Sequence, residues 1–359
     1  MATLQIHTDR IIGNIKKLNE FLKPKGIEWT LVTKVLSGYK PALDKILNDP
    51  AIKDVHSVGD SRISNLKTIK ELKSDIVTIY IKPPAVNQAK NVVKYADISL
   101  NSSYEAIKEL NKEAKKQGKT HRVIVMIEMG ELREGVVRDN ILNFYEKIFE
   151  MKNISISGIG TNLGCMYGVE PTYDKLIQLS LYKQLIDTTF GVKLDLISSG
   201  SSITLPLVSM NKIPKGVNHF RIGEAAFLGV SPYDNKKFRN LSTNAFTFNA
   251  DIVELEKKEV VPDGKIGDAA VGETADYEKL EYDESYRAIA DFGELDVDYN
   301  NLSLKDNSVK FVGTTSDMTV YDLGPKSGKY KVGDQLNFNP NYMAVARLTN
   351  SRYMTKEVR

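Results

Sequence analysis

The sequence predicts a parallel (β/α)8 barrel of the TIM type followed by a β-rich C-terminal domain. Three observations lead there. Eight short apolar runs, rich in β-branched residues, are spaced through the first two thirds of the chain. Longer amphipathic stretches separate them. After about residue 238 the alternation stops and strand-like segments follow one another between turn signals.

The runs are TLVTKV (30–35), VHSVG (55–59), IVTIYI (76–81), ADISL (96–100), RVIVMIEM (122–129), ISGIGTN (156–162), LDLISSG (194–200) and NHFRIG (218–223). Each is apolar through its centre, as strands covered on both faces are. Between them lie helix-like segments such as SRISNLKTIKELK, SSYEAIKELNKEAKKQGK and PTYDKLIQLSLYKQLIDTTF. In the second of these, Ser102 or Ser103 can cap the start and Gly118 can end the helix. Strand–helix alternation favours parallel pairing with right-handed crossovers. Eight such units suit a closed barrel, with a doubly wound open sheet as the alternative. The expected domains are 1–238 (barrel) and 239–359 (β-rich). In the second, TNAFTFNADIVELE, YRAIADFG, VKFVGTTSDMTVYDL, KYKVGDQLNFN and MAVARLT are strand candidates, and the polar segment 263–285 reads as a surface loop or hairpin.

Composition narrows the function classes without naming one. The chain has 359 residues, 42% hydrophobic and 26% charged, with a net charge of +3. So small a charge does not point to nucleic acid or an acidic membrane surface. One cysteine, Cys165, excludes an internal disulfide framework and gives no metal-ligand pattern. No stretch reaches the roughly 18 consecutive apolar residues of a membrane helix. The start MATLQIHTDR lacks a basic region followed by an apolar run, so a cytoplasmic protein is expected.

Chemistry in a parallel barrel gathers at the C-terminal ends of the strands. Lys34 ends the first run among β-branched neighbours. A lysine held there can lose its proton readily and act as an imine-forming nucleophile. A strand-end lysine snorkelling to solvent is the commoner reading of that pattern. Arg133 follows the fifth run and could donate to an anionic oxygen, or pair with Glu128, Glu131 or Glu134. Asn162 closes the sixth run and could face a ligand or cap a turn. ISSGSSIT (197–204) and the Arg221-Ile222-Gly223 turn close the seventh and eighth runs. Phosphate sites of such barrels form from those two loops. An ordinary serine cap explains the first motif equally well.

Taken together, LVTKV, DSRISNLK, YADISLNS, GELREG, GIGTNLGC, SSGSS and RIGEAAFLG resemble, in order and spacing, the alanine racemase family of fold type III pyridoxal-phosphate enzymes. The resemblance covers nearly the whole chain and is strongest to the ornithine-racemase-like branch. It implies pyridoxal 5'-phosphate as cofactor, with Lys34 as the Schiff-base lysine and one of two catalytic bases. It implies an Arg133 contact to the cofactor's phenolic oxygen and phosphate contacts at Ser201, Ile222 and Gly223. Asn162 stands where alanine racemases have a histidine behind the ring, and Arg221 matches the arginine facing the pyridine nitrogen. An arginine does not readily give up its proton, so that nitrogen would stay unprotonated and side reactions such as transamination would be suppressed. A head-to-tail homodimer is implied as well.

The second base departs from the family pattern. Ile289 stands where alanine racemases have a tyrosine, and Gly38 followed by Tyr39 displaces another. Tyr282, Tyr286, Asp291 and Asp317 are candidates, with Asp317 also matching a segment near the substrate carboxylate. The expected activity is two-base racemisation of a free amino acid, ornithine first and another basic residue next. Glu131, Asp291 and Asp317 could receive a substrate ammonium. The alternatives are a non-catalytic pyridoxal-phosphate carrier and a lyase of the D-threonine aldolase type. The carrier lacks a second domain. The lyase needs a metal held by C-terminal histidine, whereas His7, His56, His121 and His219 all lie in the barrel portion.

Overall fold

In the computed structural model the chain divides into two compact units, Arg10–Thr243 and Met1–Asp9 together with Asn244–Arg359. The structure describes residues 2–267, 272–274, 282–326 and 328–359. The break therefore differs from the expected one at 238/239. Residues 1–9 leave the barrel portion because β1 (Thr3–Ile6) pairs with strands of the C-terminal region.

The first unit is a closed barrel of eight parallel strands. They are β2 (Glu28–Val32), β3 (Ser57–Asp60), β4 (Thr78–Tyr80), β5 (Ile98–Asn101), β6 (His121–Met126), β7 (Ile154–Gly160), β8 (Leu196–Ser201) and β9 (His219–Ile222). Each of the eight expected runs overlaps one of them. Pairing of Thr30 with Arg221 and Leu31 with Ile222 joins β2 to β9, which closes the ring and removes the open-sheet alternative. Helix Tyr104–Lys116 shows how local sequence builds the surrounding layer. Ser103 caps the Ala106 N–H at 3.4 Å, Ile107, Leu110 and Ala114 are buried, and Gly118 ends the segment at φ +63°.

The barrel interior has two parts. Ile79, Ile98, Leu100, Ile124, Met126 and Leu196 form one apolar cluster from β4, β5, β6 and β8. Thr30, Ser57, Ser198, His219 and Arg221, from the other side of the ring, form a hydrogen-bonded chain. Burying so many polar groups is tolerable because each is paired. Two short strands, β10 (Val230–Ser231) and β11 (Lys236–Lys237), follow.

Among the described residues the second unit is an eight-stranded sheet. Besides β1 it contains β12 (Phe246–Glu259), β13 (Glu284–Ala290), β14 (Leu302–Leu304), β15 (Lys310–Thr314), β16 (Thr319–Asp322), β17 (Gln335–Pro340) and β18 (Thr355–Val358). The long β12 runs antiparallel to β1 and β17 through its first half and to β13 through its second. Phe248, Phe292, Tyr321 and Phe338 pack as the aromatic core, with Phe248 and Phe292 edge-to-face at 5.1 Å.

Two C-terminal expectations change, and a third lies partly outside the described residues. MAVARLT is not a strand: it lies in helix Tyr342–Asn350, capped by the Asn341 side chain on Met343 and Ala344 N–H. Its buried Ala344, Val345 and Leu348 follow helical spacing, a signal overlooked because the segment is short. VKFVGTTSDMTVYDL is two strands, β15 and β16, folded at the turn 315–318. Of the acidic segment 263–285, residues 268–271 and 275–281 lie outside the described residues; Thr274 bridges Gly313.

Candidate active site

Lys34 does not sit inside a strand as the pattern suggested. β2 ends at Val32, and Lys34 begins a tight 3-10 turn, Lys34–Leu36, that closes with Ser37 at φ +48°. Thr33 and Val35 are buried while the Lys34 side chain is exposed at the barrel mouth. Thr33 donates to the Asp60 carboxylate at 3.3 Å. Asp60, at the end of β3, was not singled out from sequence. It is fully buried and also accepts from Arg62 N–H at 2.9 Å and Asn65 Nδ2 at 3.1 Å. Burial outweighs these donors and pushes its carboxyl up to about 6. A polar residue closing a parallel strand was the available signal.

The loop after β6 is organised by carboxylates. Glu128 accepts the N–H groups of Gly130 at 2.6 Å and Leu132 at 2.9 Å. Glu131 is buried and accepts four backbone N–H groups from the next loop: Cys165, Met166, Tyr167 and Val169. Burial raises its carboxyl, and the four donors more than reverse this, leaving it below the usual range. Glu131 is thus committed to the backbone, which removes it as a receptor for a substrate ammonium. Arg133 pairs with Glu134, one of its expected alternatives, and its Nη1 lies against Cys165 Sγ. Asn162 joins the same group, its Nδ2 donating to Glu134 at 3.1 Å. Burial raises the Glu134 carboxyl, but Arg133 and Asn162 pull it below its ordinary value.

Arg221 is buried at the end of β9. Nη1 donates to the carbonyl and hydroxyl of Ser198, each at 2.6 Å, and Nη2 to the Thr161 carbonyl at 2.7 Å. Burial lowers its pKa to about 10, so it remains a cation at neutral pH. Ile222 ends the same strand. Gly223 packs so tightly on β2 that an added Cβ would stand 3.2 Å from the Val32 carbonyl oxygen. Ser201 caps the turn Ser202–Thr204, and Ser202 Oγ accepts the Ala225 N–H at 3.1 Å, tying the β8 and β9 loops together. Glu224, overlooked in the sequence, is mostly buried; burial raises its carboxyl while the Lys34 charge lowers it.

One group of sequence candidates is thus brought to the barrel mouth: Lys34, Arg133, Asn162, Ser201, Arg221, Ile222 and Gly223. The others lie in the second unit. Asp317 is exposed in the β15–β16 turn and accepts from Ser316 Oγ at 3.1 Å. Ile289 is half-buried on β13 opposite Val320. The Tyr282 hydroxyl donates to Asp322 at 3.0 Å, Tyr286 is half-buried and Asp291 is exposed.

The family model described as alanine racemase, N-terminal domain, matches residues 6–232. The chain belongs to the alanine racemase family. It is an isomerase of the racemase type. It is 34% identical to an ornithine racemase of Acetoanaerobium sticklandii, over 99% of both chains. It is 30% identical to a lysine racemase of Thermotoga maritima, over 98% of this chain and 97% of that one. Among solved structures, the alanine racemase of Clostridium difficile 630 superposes with a TM-score of 0.76 at 16% identity, covering 100% of this chain and 95% of that one. The alanine racemase of Bartonella henselae, solved with covalently bound pyridoxal phosphate, gives 0.74 at 15% identity over 100% and 99%. These likenesses carry the fold. Among the described residues, no helix is long and apolar enough to cross a membrane.

Proposed function

We propose that this chain racemises a basic free amino acid, ornithine first and lysine next, with pyridoxal 5'-phosphate bound at the barrel mouth. The single observation that carries this is the 34% identity to an ornithine racemase over 99% of both chains. The donor set fits the cofactor. Lys34, Arg133 and Arg221 supply cationic groups at the ends of β2, β6 and β9, and a small-residue cradle of Ser201 and Gly223 lies between β8 and β9. A phosphate-bearing aldehyde is anionic and needs an amine, and this mouth offers both.

Lys34 holds the cofactor through its Nζ and moves a proton at the substrate Cα from one face. Bound there, the cofactor would draw electron density from Cα and make its hydrogen acidic. Arg133 and Asn162 orient the ring from the β6 and β7 loops. Arg221, held as a cation by Ser198 and Thr161, presents N–H groups to the ring nitrogen and no proton it can lose at neutral pH. Ser201, Ile222 and Gly223 take the phosphate. Inversion needs a second acid/base group on the opposite face. Tyr282, Tyr286, Asp291 and Asp317 are its candidates, since Ile289 has no titratable group. The working form is a cytoplasmic head-to-tail homodimer.

The test is incubation of the cofactor-loaded protein with L-ornithine in deuterated water. D-ornithine carrying deuterium at Cα is expected. Exchange without inversion would mean that Lys34 works alone, and absence of exchange with ornithine and lysine would overturn the substrate class. Lys34→Ala is expected to lose both activity and the visible absorbance of the bound cofactor.

A further inference from the structure

The Glu131 carboxylate has an unusual set of neighbours. Oε1 accepts Cys165 N–H at 3.0 Å and Val169 N–H at 2.8 Å, while Oε2 accepts Met166 N–H at 2.8 Å and Tyr167 N–H at 3.0 Å. All four donors belong to the loop after β7, whereas Glu131 belongs to the loop after β6. The receiving loop is closed on itself by Gly164 N–H to the Val169 carbonyl at 2.8 Å, with Gly164 and Gly168 at positive φ. Four backbone N–H groups converging on one charge are worth more than neutral hydrogen bonds, and they tie the loop after β7 to this one carboxylate. Two further ties cross between the same loops. Arg133 Nη1 lies against Cys165 Sγ, and Asn162 Nδ2 donates to Glu134 at 3.1 Å.

We infer that Glu131 is a positioning residue for Arg133: its carboxylate fixes the Cys165–Val169 loop so that the Cys165 sulfur holds the Arg133 guanidinium at the barrel mouth. Glu134 grips one side of that guanidinium and Cys165 a terminal nitrogen, so its orientation depends on where Glu131 sets Cys165. The inference rests on the reading that Arg133 touches the cofactor. It assigns to the first acidic residue of the GELREG segment a role in orientation rather than in contact with substrate.

Glu131→Gln keeps the shape but puts an amide N–H2 where two backbone N–H groups point. Its dissociation constant for pyridoxal phosphate, measured by absorbance titration, should rise about tenfold, the equivalent of one or two hydrogen bonds. The pH midpoint of the bound cofactor's visible band should move as well, at temperatures below the thermal midpoint of each protein. Cys165→Ala should weaken the cofactor in the same direction. The double variant should be no weaker than Glu131→Gln alone, because both act through one link. If Glu131→Gln does not fold, Glu131→Asp, which keeps the charge at a shorter reach, carries the same comparison. A lower thermal midpoint with unchanged affinity and spectrum, or additive effects in the double variant, overturns the role. Failure of the unaltered protein to form a coloured complex would instead overturn the cofactor reading, and the inference with it.

Discussion

Arg221 Nη1 lies 2.6 Å from the Ser198 hydroxyl, and that contact sets the direction of a chain of protons through the barrel. A guanidinium only donates, so the Ser198 oxygen accepts from it and gives its own proton onward. The receiver is His219 Nδ1 at 2.8 Å. Nε2 then carries the ring proton and donates to Thr30 Oγ1 at 3.0 Å, Thr30 donates to Ser57 Oγ at 2.7 Å, and Ser57 to His56 Nδ1 at 3.1 Å. One fixed cation thus determines the tautomer of a buried histidine two residues away. His219 is neutral because burial, with His56 and Arg221 nearby, drives its pKa well below the ordinary histidine value.

The first prediction concerns that tautomer. Nitrogen-15 spectra should show His219 neutral and protonated on Nε2 between pH 6 and 8. In Ser198→Ala the Nδ1 acceptor loses its donor and the tautomer should become mixed. A protonated ring, or an Nδ1–H tautomer in the unaltered protein, would contradict the chain.

Replacing Arg221 by Lys should cost about 2–4 kcal/mol of unfolding free energy, read from urea midpoints. An ammonium is a point donor and cannot span the Ser198 and Thr161 carbonyls as the planar fork does. Cofactor affinity should fall with it, since the replacement can also lose its proton when buried.

His121 and Asp60 give opposite pH dependences. Burial lowers His121 to about 4 against its ordinary 6.5. The unfolded chain therefore binds the proton first, and stability present above pH 6.5 is lost as pH falls toward 4, by up to about 3 kcal/mol. His121→Gln should flatten that acid limb. Asp60 has a raised carboxyl, about 6 against 3.8, so the folded state binds the proton first. Its cost is full above pH 6 and is relieved as pH falls toward 4. Against Asp60→Asn, the unaltered protein should gain up to about 3 kcal/mol over that window. Denaturant melts at half-unit pH steps check both signs.

Gly135 sits at φ +154°, and an added Cβ would stand 2.1 Å from the Glu128 backbone nitrogen. Gly135→Ala should therefore displace the loop carrying Arg133. A loss of at least about 2 kcal/mol is expected, together with weaker cofactor binding. Unchanged affinity would mean that the loop tolerates the shift.

The barrel was legible because burial on both faces forces each strand to be a continuous apolar run, and the helices between them carry their own caps. Lys34, Asn162 and Arg221 were legible as polar residues at the ends of those runs, and Arg133 as one in the loop that follows. Asp60 and Glu224 were missed although they also stand at strand ends, since a lone acidic residue before a helix resembles a cap. Glu131 was read as a ligand for substrate because its type was visible and its partners were not. Its four donors come from residues more than thirty positions further along the chain.

The sequence by itself determined the order of strands, the closing residues of each, and the resemblance that brought the family into view. Those properties depend on side-chain periodicity and local capping, which act over a few residues. Tertiary structure alone decided that β1 leaves the barrel for the C-terminal sheet, that MAVARLT coils into a helix, and which acid meets which base at the mouth. Hydrogen bonds and ion pairs between loops depend on distances of about 3 Å set by barrel closure. No spacing along the chain encodes those distances.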